Sequence, residues 1–115
     1  MSLKNTDKPV KREKLGGTGA GAACAFPVDI PDQDGAFTMV TRLELEPGAS
    51  IGYHKHAANE EVYAVISGSG VYCEENREEP AKAGDIFLCR MGNSHGLRNT
   101  GADKLVIAAA IAKRG

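Results

Sequence analysis

From residue 36 onward, apolar and polar side chains follow one another in short runs with the period of a strand, broken by turn residues. Over 37–46, Met39, Thr41, Leu43 and Leu45 alternate with Val40, Arg42, Glu44 and Glu46, which predicts a strand with one buried and one wet face. Glu46-Pro47-Gly48 predicts a turn. Further strands are expected over 51–56, 61–67, 70–73, 85–89, 94–99 and 104–112, separated by links containing Gly, Asn or Pro. No segment carries a convincing helical period. Seven or eight short strands predict an all-β sandwich or small barrel.

The chain before residue 36 is different. Residues 1–14 hold Lys4, Lys8, Lys11, Arg12 and Lys14, with Leu3 and Val10 as aliphatics, and are expected to form an arm or a strand that docks late, without chemistry of their own. The domain proper is expected to span 15–115. Gly16-Gly17-Thr18-Gly19-Ala20-Gly21 lacks the preceding strand, following helix and Lys-Ser/Thr ending of a phosphate loop. A flexible connector or glycine-rich strand start is expected instead. The charge run Glu74-Glu75-Asn76-Arg77-Glu78-Glu79 is expected at a solvated hairpin tip.

At 115 residues the chain is one domain, large enough to bury a core without staples. Fourteen Lys and Arg against 15 Asp and Glu leave no positive excess for nucleic acid or an anionic membrane. No stretch approaches the length of a membrane span, and the charged N-terminus lacks the apolar segment of a signal peptide, so a cytoplasmic location is expected. Cys24, Cys73 and Cys89 are odd in number and far apart, which points to reduced packing residues rather than a disulfide framework.

The candidate chemistry rests on the chain's three histidines. His54 and His56 stand at i and i+2 on an expected strand, so both side chains leave one face and can meet one metal. Glu61 begins the next expected strand after the short loop Ala57-Ala58-Asn59, so a hairpin would return its carboxylate beside the pair. His95, on a later strand, is expected to close the set from across the barrel. Three neutral imidazoles and one carboxylate leave a divalent ion a residual charge near +1 and room for an oxygen-rich ligand.

These residues lie in a longer pattern, Gly48-x5-His54-x-His56-x4-Glu61-x6-Gly68 followed by Gly84-x5-Arg90-x-Gly92-x2-His95-x3-Asn99. That pattern resembles the two signature motifs of the cupin superfamily, with Arg90 standing where proline is usual. The resemblance implies a cupin-type double-stranded β-helix, or jelly-roll barrel, usually dimeric. It also implies one divalent metal ion per chain (Mn, Fe, Ni or Zn) held by His54, His56, Glu61 and His95. Glu60 is the competing carboxylate, and the alternation Glu61, Tyr63, Val65 favours Glu61 as the inward residue. The segments Pro47–His56, Asn59–Tyr63, Ala83–Asp85 and Asn93–Gly96 look like the small single-domain cupins grouped with oxalate decarboxylases. Where those enzymes place a substrate-gripping arginine, three residues before the first metal histidine, this chain has Ile51.

Tyr63, two residues beyond Glu61, is the candidate catalytic residue, as proton donor or hydrogen-bonding group, with a barrel-lining aromatic as the competing role. Asn99 is a candidate to orient a ligand or tie a strand end, and Arg42 a candidate carboxylate clamp that the alternation places toward solvent. The expected function is a metal-dependent cupin acting on a small carboxylate-bearing molecule by decarboxylation, oxygenation or isomerisation. The alternative is a metal-containing barrel that binds or senses a small ligand without turnover. A homodimer is expected, through sheet pairing by the apolar strand 105–112 and the N-terminal arm.

Overall fold

The computed structural model describes residues 9–30 and 34–113. Among these residues run β1 (Val10–Arg12), β2 (Ala23–Pro27), β3 (Phe37–Leu45), β4 (Ser50–Lys55), β5 (Asn59–Ser67), β6 (Ser69–Glu74), β7 (Arg77–Lys82), β8 (Ile86–Cys89), β9 (Ser94–Asn99) and β10 (Leu105–Lys113). A single 3-10 turn covers Leu15–Gly17. Every strand pair is antiparallel, in one sheet of order β1-β2-β3-β10-β5-β8 and a second of order β4-β9-β6-β7. The strands expected from the alternation are present.

Alternation explains how the sheets face one another. On β3 the inward positions Thr41, Leu43 and Leu45 are buried, on β10 Leu105, Ile107 and Ala109, and on β5 Glu61, Tyr63 and Val65. The smaller sheet contributes Ile51, Tyr72, Ala81 and Leu97 to the same apolar cluster. Burial of this shared face is the main driving force of the fold. Cys24, Cys73 and Cys89 are free thiols, and burial pushes the Cys89 thiol up to about 12, in keeping with an inert packing residue.

Local chemistry fixes the turns. At Glu46-Pro47-Gly48-Ala49 the Ala49 amide donates to the Glu46 carbonyl at 2.9 Å, and Gly48 takes the positive φ that the third turn position demands. Glu75 and Asn76, with φ of 50° and 64°, form the tight turn between β6 and β7. The charge run is therefore a hairpin tip at these two residues only. Of its remainder, Glu74 ends β6, and Arg77, Glu78 and Glu79 enter β7, an edge strand of which only Ala81 is buried.

Three expectations are corrected by the topology. β4 and β5 do not form a hairpin: β4 pairs with β9, and β5 pairs with β10 and β8, so the loop after His56 crosses from one sheet to the other. β10 lies between β3 and β5 with both edges occupied, so it offers no free edge for pairing with a second chain. The glycine-rich segment is packed rather than a free connector. The Ser50 amide donates to the Ala20 carbonyl at 2.8 Å, and the Ala20 amide to Ser50 Oγ at 2.9 Å. A Cβ on Gly52 would stand 2.7 Å from both Gly19 N and Thr18 C, so backbone meets backbone along this contact. Of the arm, Val10–Arg12 forms β1 against β2, and residues 1–8 lie outside the described residues.

Candidate metal centre

A one-residue irregularity in β4 builds the site. Ile51 pairs with Leu97 and His54 with His95, three steps on β4 against two on β9, so an extra residue is accommodated at Gly52-Tyr53. Strict alternation would send Ile51 and His54 to opposite faces. The bulge resets the phase, so Ile51 packs in the core while His54 turns toward the same interior. His56 follows the end of β4, its amide donating to Asn93 O at 2.9 Å and its carbonyl accepting from the Gly92 amide at 2.7 Å. Gly96 faces the bulge, and a Cβ there would come within 3.0 Å of Ile51 O.

His54, His56, Glu61 and His95 each offer a ligand atom, and these atoms all lie within 4.8 Å of one another. His56 Nε2 is central, 3.1 Å from His54 Nε2, 3.0 Å from His95 Nε2 and 3.0 Å from Glu61 Oε1. Glu61 Oε1 is also 2.9 Å from His95 Nε2 and 3.8 Å from His54 Nε2. His54 and His95 come from strands of the smaller sheet, His56 from the residue just past the end of β4, and Glu61 from the larger sheet. His95 sits beside His54 on the neighbouring strand, and Glu61 is the residue that closes the group from the opposite sheet. Glu60 turns outward to Arg90 at 3.0 Å in an exposed ion pair.

The donor set fits a cation. Each histidine has an acceptor for its other ring nitrogen: Gly52 O at 2.6 Å from His54 Nδ1, Asn59 Oδ1 at 2.5 Å from His56 Nδ1, and the Tyr72 hydroxyl oxygen at 3.1 Å from His95 Nδ1. Tyr72 donates its own proton to Glu74 Oε1 at 2.7 Å, so its oxygen is left to accept. Protons placed on Nδ1 leave three Nε2 lone pairs and a carboxylate oxygen converging on one point. Such an array repels itself unless a positive charge lies at its centre. The Glu61 carboxylate, 3.8 Å away, raises the His54 pKa above its usual value, whereas burial lowers that of His95. Burial alone would raise the pKa of Glu61, but the close His54 imidazole, the hydrogen bond with His95 and the charge of the imidazole group outweigh it and hold it at about 2.

In the sequence Asn59 has a place only in the loop before Glu61 and Tyr72 has no role, and Glu74, expected at a solvated hairpin tip, instead accepts from Tyr72 and from Asn93 Nδ2 at 2.9 Å. Asn59 lies within the loop between two ligands, a position that invites the reading, but Tyr72 and Glu74 come from β6 and meet His95 only through the β6–β9 pairing, in which Glu74 is opposite His95. Tyr72→Phe removes the acceptor that orients His95. It is expected to weaken divalent-metal binding about 10- to 100-fold with little loss of fold, as measured by competition with a chelating dye.

Tyr63 is buried and stacks on His95, with ring centroids 4.6 Å apart and planes 15° apart. Burial, with the charge of Glu61 beside it, raises its pKa well above 10, so its hydroxyl keeps its proton. Together with His54, His56 and Glu61 it lines a cavity of about 340 Å³ whose other walls include Leu15, Met39, Leu43, Ile51 and Ile111. Asn99 ties a strand end, donating to Leu45 O at 3.0 Å and Asp103 O at 2.8 Å. Arg42 lies over the Phe26 ring at 4.0 Å and beside Glu44, away from the cavity.

Known proteins resemble the chain in sequence and in shape. An "Oxalate-binding protein" of Thermotoga maritima is 38% identical over 73 residues, 64% of this chain and 60% of that protein, so the match leaves two fifths of the relative's length uncovered. A crystal structure described as a predicted oxalate decarboxylase, also from Thermotoga maritima, superposes with a TM-score of 0.90 at 28% identity, covering 99% of this chain and 100% of the other. The Cupin_2 domain of an XRE family transcriptional regulator from Enterobacter cloacae shares the fold at 19% identity, with a TM-score of 0.71 over 81% of this chain and 98% of that one. The model of the cupin domain matches residues 41–111, which contain all four candidate ligands, and the chain belongs to the cupin family.

Proposed function

We propose that His54, His56, Glu61 and His95 hold one divalent metal per chain, from among Mn, Fe, Ni and Zn, and that the protein acts there on a small, oxygen-rich, carboxylate-bearing molecule. Decarboxylation, oxygenation and isomerisation are the reaction classes that suit such a site. The observation that carries this reading is the convergence of three Nε2 atoms and one carboxylate oxygen beside a cavity. When bound, the metal supplies Lewis acidity or a binding point for dioxygen. Glu61 and the three neutral imidazoles leave that ion an excess of positive charge, which favours an anionic ligand. Tyr63, kept protonated, is the side chain that presents a hydrogen bond or a proton at the cavity wall. The apolar walls limit water around the reacting group. The names of the two Thermotoga proteins point to the same ligand class.

One observation favours a second reading, binding without turnover. Among the described residues, and outside the candidate ligands, the ionisable side chains lining the cavity are Arg12 and the protonated Tyr63, so these residues place no general base for chemistry near neutral pH in that lining. Incubation of the metal-loaded protein with oxalate and a panel of 2-oxo acids distinguishes the readings. The enzyme reading predicts steady product release that falls at least 10-fold in Tyr63→Phe. Thermal stabilisation by the same acids with no product establishes the binding reading.

We also propose a dimer formed through the outer face of the larger sheet. Ile66, Ile86 and Leu88 stand there 53%, 70% and 52% exposed, beside the open edge of β8. Light scattering is expected to give a mass of two chains, reduced to one by the double change Ile86→Lys and Leu88→Lys. A wild-type mass of one chain contradicts the proposal.

A further inference from the structure

The cavity beside the candidate metal group is apolar over most of its wall and, among the described residues, has one Lys or Arg side chain in its lining. Leu15, Met39, Leu43, Ile51 and Ile111 form its hydrocarbon surface, and Arg12 lines the same space from β1. Arg12 is exposed and has no ion-pair partner among the described residues. This arrangement differs from what a dicarboxylate as small as oxalate requires. Oxalate has no hydrocarbon to place against these walls, and a volume of about 340 Å³ lies within the range of pockets for larger small molecules. A buried apolar wall left facing water costs free energy that a hydrocarbon body recovers.

We propose that the ligand is a carboxylate with a hydrocarbon body, of the 2-oxo or 2-hydroxy acid class, and that Arg12 is the residue that recognises its negative charge. This inference rests on the proposed metal-dependent function and narrows its ligand. Two adjacent oxygens suit the metal group, the guanidinium supplies a planar charge-assisted donor pair for the carboxylate, and the side chain of the acid lies on the apolar walls. Specificity arises twice over: charge selects acids, and the wall selects those with bulk. The segment that supplies Arg12 also brings Leu15 and Gly16 to the cavity, so β1 and the 3-10 turn form one side of the binding space. A Cβ on Gly16 would stand 2.7 Å from His54 Nδ1, which shows how closely that side approaches the metal group.

The test is calorimetric titration of the zinc-loaded protein with oxalate, pyruvate, 2-oxobutyrate, 4-methyl-2-oxopentanoate and phenylpyruvate, with metal content measured on the same sample. Affinity is expected to rise along the oxo-acid series, about fourfold for each methylene equivalent buried, and to exceed that for oxalate. Arg12→Gln is expected to weaken every acid about 10-fold or more while leaving zinc content unchanged, and Arg12→Lys to restore part of the loss. Met39→Gln is expected to flatten the dependence on side-chain size. Binding without size preference, tightest binding of oxalate, or an Arg12→Gln protein with wild-type affinities overturns the inference and leaves the functional reading standing. Full zinc content with no acid bound overturns both.

Discussion

His56→Ala is expected to abolish stoichiometric metal binding and, with it, the rise in melting temperature that a divalent metal produces in the wild type. His56 Nε2 lies within 3.0–3.1 Å of a donor atom from each of the other three candidate ligands, so no substitution removes more of the shared centre. A ligand present at about a thousand times its dissociation constant stabilises the folded state by about 4 kcal/mol. For a domain of this size that corresponds to a rise of roughly 15 °C, taking about 4 °C per kcal/mol. The metal-free variant is expected to remain folded, because the substitution also removes one of the lone pairs crowded at that point. Thermal denaturation with and without added Mn(II) measures the effect. A His56→Ala protein that keeps the full metal-dependent shift contradicts the ligand assignment.

Gly52→Ala is expected to carry the second large effect, this time on stability. Its Cβ would stand 2.1 Å from Thr18 Oγ1 and 2.7 Å from both Gly19 N and Thr18 C, and two of these three atoms are backbone. Either the 3-10 segment lifts from β4, losing its hydrogen bonds at Ser50, or the bulge that aims His54 is flattened. Overpacking of this kind costs about 2–3 kcal/mol, which lowers the melting temperature of the metal-free protein by roughly 8–12 °C. Because Gly52 O accepts from His54 Nδ1, metal affinity is expected to fall as well. Gly17→Ala is the comparison. A Cβ there meets nothing within 4 Å, so only its positive φ is penalised, at about 1–2 kcal/mol. Equal losses in the two variants would show that backbone strain, not the packing of the glycine segment, dominates.

The strands that form the two facing sheets were legible because their alternation is strong, with Thr41, Leu43 and Leu45 inward on β3 and Leu105, Ile107 and Ala109 inward on β10. The four candidate ligands were legible for a related reason: the spacing of two from His54 on β4 to His56 just beyond it, with Glu61 near the start of β5 and His95 near the start of β9, places side chains on definite faces. Other strands carry weaker signals. β2 buries only the small side chains Ala23 and Ala25, and β7 buries only Ala81 while carrying Pro80 on a sheet edge, where the missing amide is tolerated. Which strand lies beside which is a non-local fact, so the sequence pattern placed Glu61 next to the histidine pair and His95 across from it, the reverse of the observed arrangement. The bulge at Gly52-Tyr53 was likewise invisible, since the register that defines it belongs to β9 as much as to β4. Arg12 and Tyr72 reach the site through strand pairing alone, and nothing in their neighbours in the chain announces them.

Three histidines and one glutamate converge on one point between the two sheets, as a divalent-metal centre requires. Elemental analysis of the protein after chelator stripping and reloading with Mn, Fe, Ni or Zn tests that centre most directly, with the stripped wild type and His56→Ala measured alongside. One equivalent per chain of at least one of these metals is expected in the reloaded wild type, with none retained by His56→Ala. A wild-type protein that stays folded yet retains no metal after any reloading would contradict the metal assignment.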